Sequence, residues 1–404
     1  MTNWIKQQGF HRWAFISLAV LAAAGVLLRY MQLFPAGQLK YEYILHGHSH
    51  FAFSGWMFVS LSLLIIHQVT EKQYLRIFRR ILITAIVCSF AMLISFFAEG
   101  YHAISIFFST LFILITYWFT YVVYRRFLSY RGSGDMALLL IKWGLLFLCL
   151  SSLGPWLLGP LMASGHYEIL SRDAIYFYLH FQMNGWMQLT ALGLTASVYL
   201  NGIRVNANST RFWLYVFILS AIPLFAIFTL WSKQIVWLYW LAFFAAVLHA
   251  LSWFVLLKQL SKQCIRLPVM VGAALLALSL KVIFQVLICV PLLSEWVFAS
   301  RDLIVGYIHL VTLGCVSPLI IDQFVRRKFL PDTRFTRVVN RMYLVLVVLY
   351  LCLLFVQPVL YILHKPIMHY HLCLLLFSVG LLLTGILYTV LCGSKYRLYG
   401  MMRG

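Results

Sequence analysis

Hydrophobic positions in this chain neither alternate nor form one stripe per helix; they run in long blocks separated by short polar connections. A helix needs about 20 apolar residues to cross a bilayer core. Twelve blocks reach that length: 12–33, 45–68, 80–98, 103–124, 137–161, 175–200, 212–231, 235–257, 268–292, 303–325, 342–363 and 370–392. Long unalternating runs exclude a transmembrane barrel, whose strands are about ten residues long and polar at every second position. The pattern predicts an all-α fold, a polytopic membrane bundle of about 12 transmembrane helices. It reads as a single transmembrane domain over 1–404 with no soluble domain. Pro155 and Pro160 in GPWLLGPL predict a kink or break late in span 5. No repeat relates 1–200 to 201–404, as an internally duplicated transporter would show.

Composition agrees with lipid as the solvent. Hydrophobic residues make up 63% of the chain, charged ones 10%, and the mean hydropathy is +0.91. A soluble protein carries about 25% charged residues. Disorder, a secreted disulfide scaffold and a nucleic-acid-binding domain are therefore excluded for the whole, and no nucleic-acid partner is expected. The net charge of +21 follows from topology. With the N-terminus inside, inner segments hold 23 Lys and Arg and outer segments 6, while Lys142 and Lys281 fall within spans. That asymmetry predicts cytoplasmic N- and C-termini, contact with anionic lipid and a place in the inner (cytoplasmic) membrane. The basic start, apolar run and Ala22-Ala23-Ala24-Gly25 also fit a cleavable signal. However, Arg29 and Tyr30 close a run already long enough to span, and removing it would leave eleven spans and an exported tail. The eight cysteines form no C-x-x-C pair, and all but Cys264 lie in spans, as packing residues do.

The thirteen histidines are unevenly placed. His11, His67 and His249 fall on the inner side. His46, His48, His50, His102, His166, His180, His309, His364, His369 and His371 fall on the outer side. His180 and His309 enter the hydrocarbon layer, each seven residues after an aspartate (Asp173, Asp302), hence about 10 Å along a helix. Each is either a ligand or an interhelical hydrogen bond. Span 2 opens with His46-Gly-His-Ser-His50, where His46 and His50 share a helix face and His48 is turned about 200° away. Imidazole suits heme iron, copper and zinc; the alternative is a solvated rim. His369-Tyr-His371 and Glu99-Gly-Tyr-His102 read as interfacial.

Lys281, mid-span with Gln285 one turn on, must face a partner, water or a proton path, or else snorkel; Lys142 reads as snorkelling. Gln182 and Asn184 either support the His180 ring or bond neighbouring helices. Arg301 and Asp302 either hold heme propionates or form a surface ion pair. No phosphate loop, GxSxG or HExxH supports ATP-driven transport or the common hydrolases.

Three segments then stand out: LHGHSHFAFSGW on span 2, YLHFQMNGWMQLTALG on span 6 and YIHLVTLGCVSPLI on span 10. Their order on twelve spans resembles subunit I of the heme-copper oxidase superfamily, which includes the nitric oxide reductases. His48 and the HLVTLG run also resemble motifs of NnrS-type membrane heme and copper proteins. The resemblance implies a low-spin, b-type heme in the outer half, with His46, His50 and His309 as candidate axial ligands. It implies a second metal, such as copper, at His180 and His48, with a quinol or cytochrome as electron donor and a small gas such as nitric oxide as ligand. Span 7 (212–231) has no histidine, where the oxidases place a copper-ligating pair, and His309 is single where they carry H-x-H. The second metal site is thus incomplete, and a complete oxygen reductase is not expected. The alternative from another class is a transporter or handling protein for copper, zinc or heme, with Lys281 in proton coupling.

The charge asymmetry is checked with fusions. Fluorescent protein after Gly404 should fluoresce and alkaline phosphatase after Gly165 should be active; the opposite pair would invert the topology.

Overall fold

The computed structural model describes residues 8–69, 74–125, 136–165, 167–200, 207–232, 236–263 and 265–401. Lys6, Lys72, Arg126, Arg131, His166, Arg204, Lys233, Cys264 and Arg403, which entered the counts above, lie outside the described residues. The described residues contain helices and no strand. The first five long helices are α1 (Phe10–Tyr30), α2 (Tyr41–Gln68), α3 (Leu75–Glu99), α4 (Ala103–Val123) and α5 (Met136–Ser164). A continuous helical stretch, α6 (168–199), follows. Then come α7 (Asn208–Ser232), α8 (Val236–Ser261), α9 (Val269–Leu287), α10 (Arg301–Arg326), α11 (Arg334–Ile362) and α12 (Tyr370–Gly393). A short helix, Pro291–Ala299, precedes α10.

Eleven of these are long and apolar enough to cross a membrane among the described residues; the stretch not counted is α6. It is long enough, but Gln182, Asn184 and Gln188 in its middle dilute its apolar character. The large apolar side chains of α3, α4 and α8 point outward, with Val87, Ile94, Phe107 and Phe244 all more than 60% exposed. Water would not tolerate so broad an apolar surface, whereas acyl chains do. This is a multi-pass membrane protein.

The chain forms two compact units, residues 1–127 with 320–404, and residues 128–319. In the first, α1 packs along α12 and against α2, α2 along α3, α3 on α4, and α11 on α12. Gly47 admits the Phe97 ring between α2 and α3, and Gly25 of α1 faces the ring of His48. Arg29 of α1, 8% exposed, donates to the Tyr350 hydroxyl of α11 from Nε at 3.1 Å and from Nη2 at 2.6 Å. Just past the end of α10, Arg327 bonds His67 Nδ1 at 3.0 Å and Gln68 Oε1 at 2.6 Å, tying that end to α2. Burial pushes the Arg327 guanidinium down to about 10, so it stays charged at neutral pH.

In the second unit, α5 lies against α6 through four glycines, Gly144, Gly154, Gly185 and Gly193, each of which faces the other helix. Small residues at such contacts let helix backbones approach in lipid, where packing rather than water expulsion drives association. A break falls beside Pro155, whereas Pro160 lies in uninterrupted helix. The helix turns at Ser152, resumes at Leu153 with Pro155 in its first turn, and carries Pro160 inside. In α7 the α-helix ends at Ser220 and a ten-residue 3-10 helix, Pro223–Ser232, completes the span.

Three helices contain a seven-residue π-helical stretch: Ala52–Phe58 in α2, Phe181–Met187 in α6 and Leu310–Val316 in α10. Each begins within two residues of a histidine, His50, His180 and His309, and each histidine has a glycine five positions on: Gly55, Gly185 and Gly314. The histidines are 130 and 129 residues apart, so the motif recurs every four helices. A comparison of the two halves of the sequence misses this because the period is a third of the chain. π-helical turns are rare and concentrate at functional sites.

Gly154 gives the stability test. A side chain there strikes the Ala174 carbonyl oxygen and crowds the Tyr178 backbone nitrogen at 3.0 Å, neither of which can swing away. Gly154→Val should destabilise the protein by about 1–3 kcal/mol through overpacking. Gly272→Ala, which meets nothing within 4 Å, should leave the melting temperature in detergent unchanged or raise it.

Candidate functional site

The polar interior of the second unit is built around the break in α7. Pro223 has no N–H to continue the α-helix, and the Phe225 N–H turns to the Ile222 carbonyl at 3.3 Å. The Ala221 carbonyl is thereby released from the helical ladder. His180 Nε2 donates to it at 2.7 Å, which places the ring proton on Nε2. The other ring nitrogen, Nδ1, then accepts from Asn184 Nδ2 at 3.0 Å. His180 is neutral, fully buried, and engaged at both nitrogens.

From Asn184 the network runs onward. The Tyr307 hydroxyl of α10 lies 3.4 Å from Asn184 Oδ1 and accepts from Gln285 Nε2 of α9 at 2.9 Å. One helical turn before Gln285, Lys281 Nζ donates to Gln188 Oε1 of α6 at 3.1 Å. On α8, His249 Nδ1 lies 2.9 Å from the Ser220 hydroxyl, with its ring stacked on Phe217. His180, Asn184, Gln188, His249, Lys281 and Gln285 are each at most 1% exposed. Buried polar groups in lipid require partners of this kind.

Of the two amides flanking His180, only Asn184 touches it. Gln182 turns to α5 and donates to Ser151 Oγ at 3.0 Å. His309 is two residues from Tyr307, so its ring leaves the helix on a side about 200° away from the one that meets α6. Its Nδ1 donates to the Val305 carbonyl of the preceding turn at 2.8 Å. At the start of α10, Ser300 Oγ accepts from the Leu303 N–H at 3.4 Å, and Arg301 is exposed.

In the first unit, the histidines of α2 divide as their helical spacing predicts. His50 stacks on Phe96 with centroids 4.4 Å apart, and its Nε2 lies 2.7 Å from the Tyr101 hydroxyl. His46 meets the same Tyr101 ring edge-on at 4.6 Å. His48 faces α1 instead. Beside them, Gln38, Lys40, Tyr43, Glu99 and His102 line an open cavity of about 650 Å³. Among the described residues, no three His, Cys, Asp or Glu side chains converge as a metal-holding group.

Sequence reasoning missed Gln188, His249 and Tyr307. Gln188 lies two helical turns beyond His180 and so shares its face. Tyr307 stands two residues before His309, and nothing in its spacing marks it as a partner of α6. His249 was assigned to the inner side, although an ionisable group within an apolar span is itself a signal.

A comparison with known proteins finds no matching family model and no significantly similar curated relative.

Asn184→Leu removes the amide that joins His180 to Tyr307 and leaves their polar atoms buried without it. The expected loss is about 1–3 kcal/mol, read as a lower melting temperature in detergent. Gln182→Leu, at the α5 contact, should leave the His180–Tyr307 link intact, as ring-¹⁵N signals of His180 would report.

Proposed function

We propose that this chain is a heme-binding integral membrane protein of the heme-copper oxidase subunit I type, acting in electron transfer or in handling nitric oxide or another small gas. The observation that supports it best is the His309 ring. With Nδ1–H held by the Val305 carbonyl at 2.8 Å, the neutral ring carries its lone pair on Nε2. Metal-ligating histidines usually hold their other nitrogen in this way, which fixes tautomer and ring orientation. His309 adjoins one of the three π-helical stretches, and His50 adjoins another.

In this reading His309, through Nε2, would hold a heme iron, and His46 and His50 are the candidate ligands of the first unit. A low-spin, b-type heme would bring one-electron chemistry, and Arg301, exposed at the start of α10, is the candidate cation for a propionate. The chain's own contribution is to set the ligand tautomer and keep the ring rigid. Copper at His180 does not fit, because both ring nitrogens are occupied by Ala221 and Asn184. The proposal includes α6 as a twelfth span, both termini on the cytoplasmic side of the inner membrane, lipid contact at the basic connections, and a quinol or cytochrome donor. The 23-to-6 distribution of basic residues supports that orientation. A metal transporter using the outer histidines has less support, since no group of three ligands converges among the described residues.

Absorption spectra of the detergent-purified protein, oxidised and dithionite-reduced, test the reading. A Soret band with sharp reduced α and β bands, lost in His309→Ala, is expected. A folded protein expressed with heme supplied and lacking any Soret band would overturn it and leave metal transport as the reading to pursue.

A further inference from the structure

We propose that Lys281 and His249 form a proton-transfer pair bridged by buried water, a site in the second unit that stores a proton within the membrane. The two residues sit on adjacent packed helices, α9 and α8, both 1% exposed. Among the described residues Lys281 Nζ donates to one acceptor, Gln188 Oε1, although an ammonium has three N–H groups. Three further buried atoms nearby have no hydrogen-bond partner among the described residues: Gln188 Nε2, Gln285 Oε1 and His249 Nε2. Gln188 Nε2 belongs to the amide that Lys281 already touches, and Gln285 lies one turn along the same face of α9. His249 is an electrostatic neighbour of Lys281 and of His180, and Cys315 of α10 also neighbours Lys281.

The character of these atoms selects the ligand. The Ser220 hydroxyl lies 3.1 Å from the Phe217 carbonyl and 2.9 Å from His249 Nδ1; with its one hydrogen on the carbonyl it accepts from His249 Nδ1–H, and that tautomer has its lone pair on His249 Nε2. Lys281 and Gln188 Nε2 therefore offer hydrogens, while His249 Nε2 and Gln285 Oε1 accept them. A small anion would serve only the donors. Water serves both and is stable in a buried pocket with two to four polar partners.

The transfer follows from this arrangement. A proton leaves the Lys281 ammonium for the water oxygen as that water gives one of its own hydrogens to His249 Nε2. The products are a neutral amine and an imidazolium; total charge is unchanged and no electron moves. The pair titrates as a coupled unit, and His180 and Cys315 are the other titratable groups facing it.

The test needs no heme. A map of the full chain in detergent or nanodisc, at a resolution that shows ordered water, should place water against both Lys281 Nζ and His249 Nε2. Ring-¹⁵N-histidine spectra, with His249 assigned by His249→Phe, should show its titration shifted by about one pH unit, tenfold in proton affinity, in Lys281→Met. The shift should be absent in Lys142→Met. Lys281→Gln serves if Lys281→Met fails to fold. A dry pocket, or a His249 titration identical in wild type and the Lys281 variants, would overturn the pair whatever the absorption spectrum shows.

Discussion

The second unit is organised by the hydrogen bond from His180 to the Ala221 carbonyl. In hydrocarbon an unpaired backbone carbonyl costs several kcal/mol, so the break that Pro223 makes in α7 requires a donor from elsewhere. His180 supplies it at 2.7 Å. Once Nε2 is committed, Nδ1 must accept, and Asn184 one turn away is the donor that fits. Asn184 then presents its oxygen to Tyr307, and Tyr307 fixes Gln285. A backbone irregularity in one helix thus sets the side-chain orientations of three others.

The same local motif is used differently at its three occurrences. At His180 the ring is closed on protein at both nitrogens. At His309 the backbone takes Nδ1 and the tautomer aims a lone pair from Nε2. At His50 the ring stacks on Phe96 and Nε2 meets the Tyr101 hydroxyl. A repeated helical frame with a histidine and a following π-helical turn therefore does not specify one chemistry. What decides each case is the nearest carbonyl or hydroxyl.

The fold was legible because lipid makes a strong demand: a run of about 20 apolar residues has few alternatives to a spanning helix. The break beside Pro155 of α5 and the face shared by His46 and His50 were legible for a similar reason, being consequences of local geometry. The number of spans was less so, since α6 mixes the length of a span with amides that only its packing explains. The partners of His180 were not legible at all. They depend on where Pro223 breaks a helix some forty residues away, and no spacing within span 6 contains that information. Gln182 and Asn184 look equivalent in sequence, two residues apart, yet one turns to Ser151 and the other to His180 because residues two apart leave a helix on nearly opposite sides.

The chain has 31 basic residues and only 10 acidic ones, so its buried cations rely on neutral acceptors. Arg29 donates to the Tyr350 hydroxyl and to Gln32, and Lys281 donates to Gln188. The two are not equivalent. A guanidinium keeps its proton in a protein, so Arg29 can only cross-link α1 to α11. A lysine ammonium can give its proton up, and the proposed pair with His249 uses that property. Replacing Lys281 by arginine would keep the charge and remove the ability to give it up, and that difference separates a structural cation from one that moves a proton.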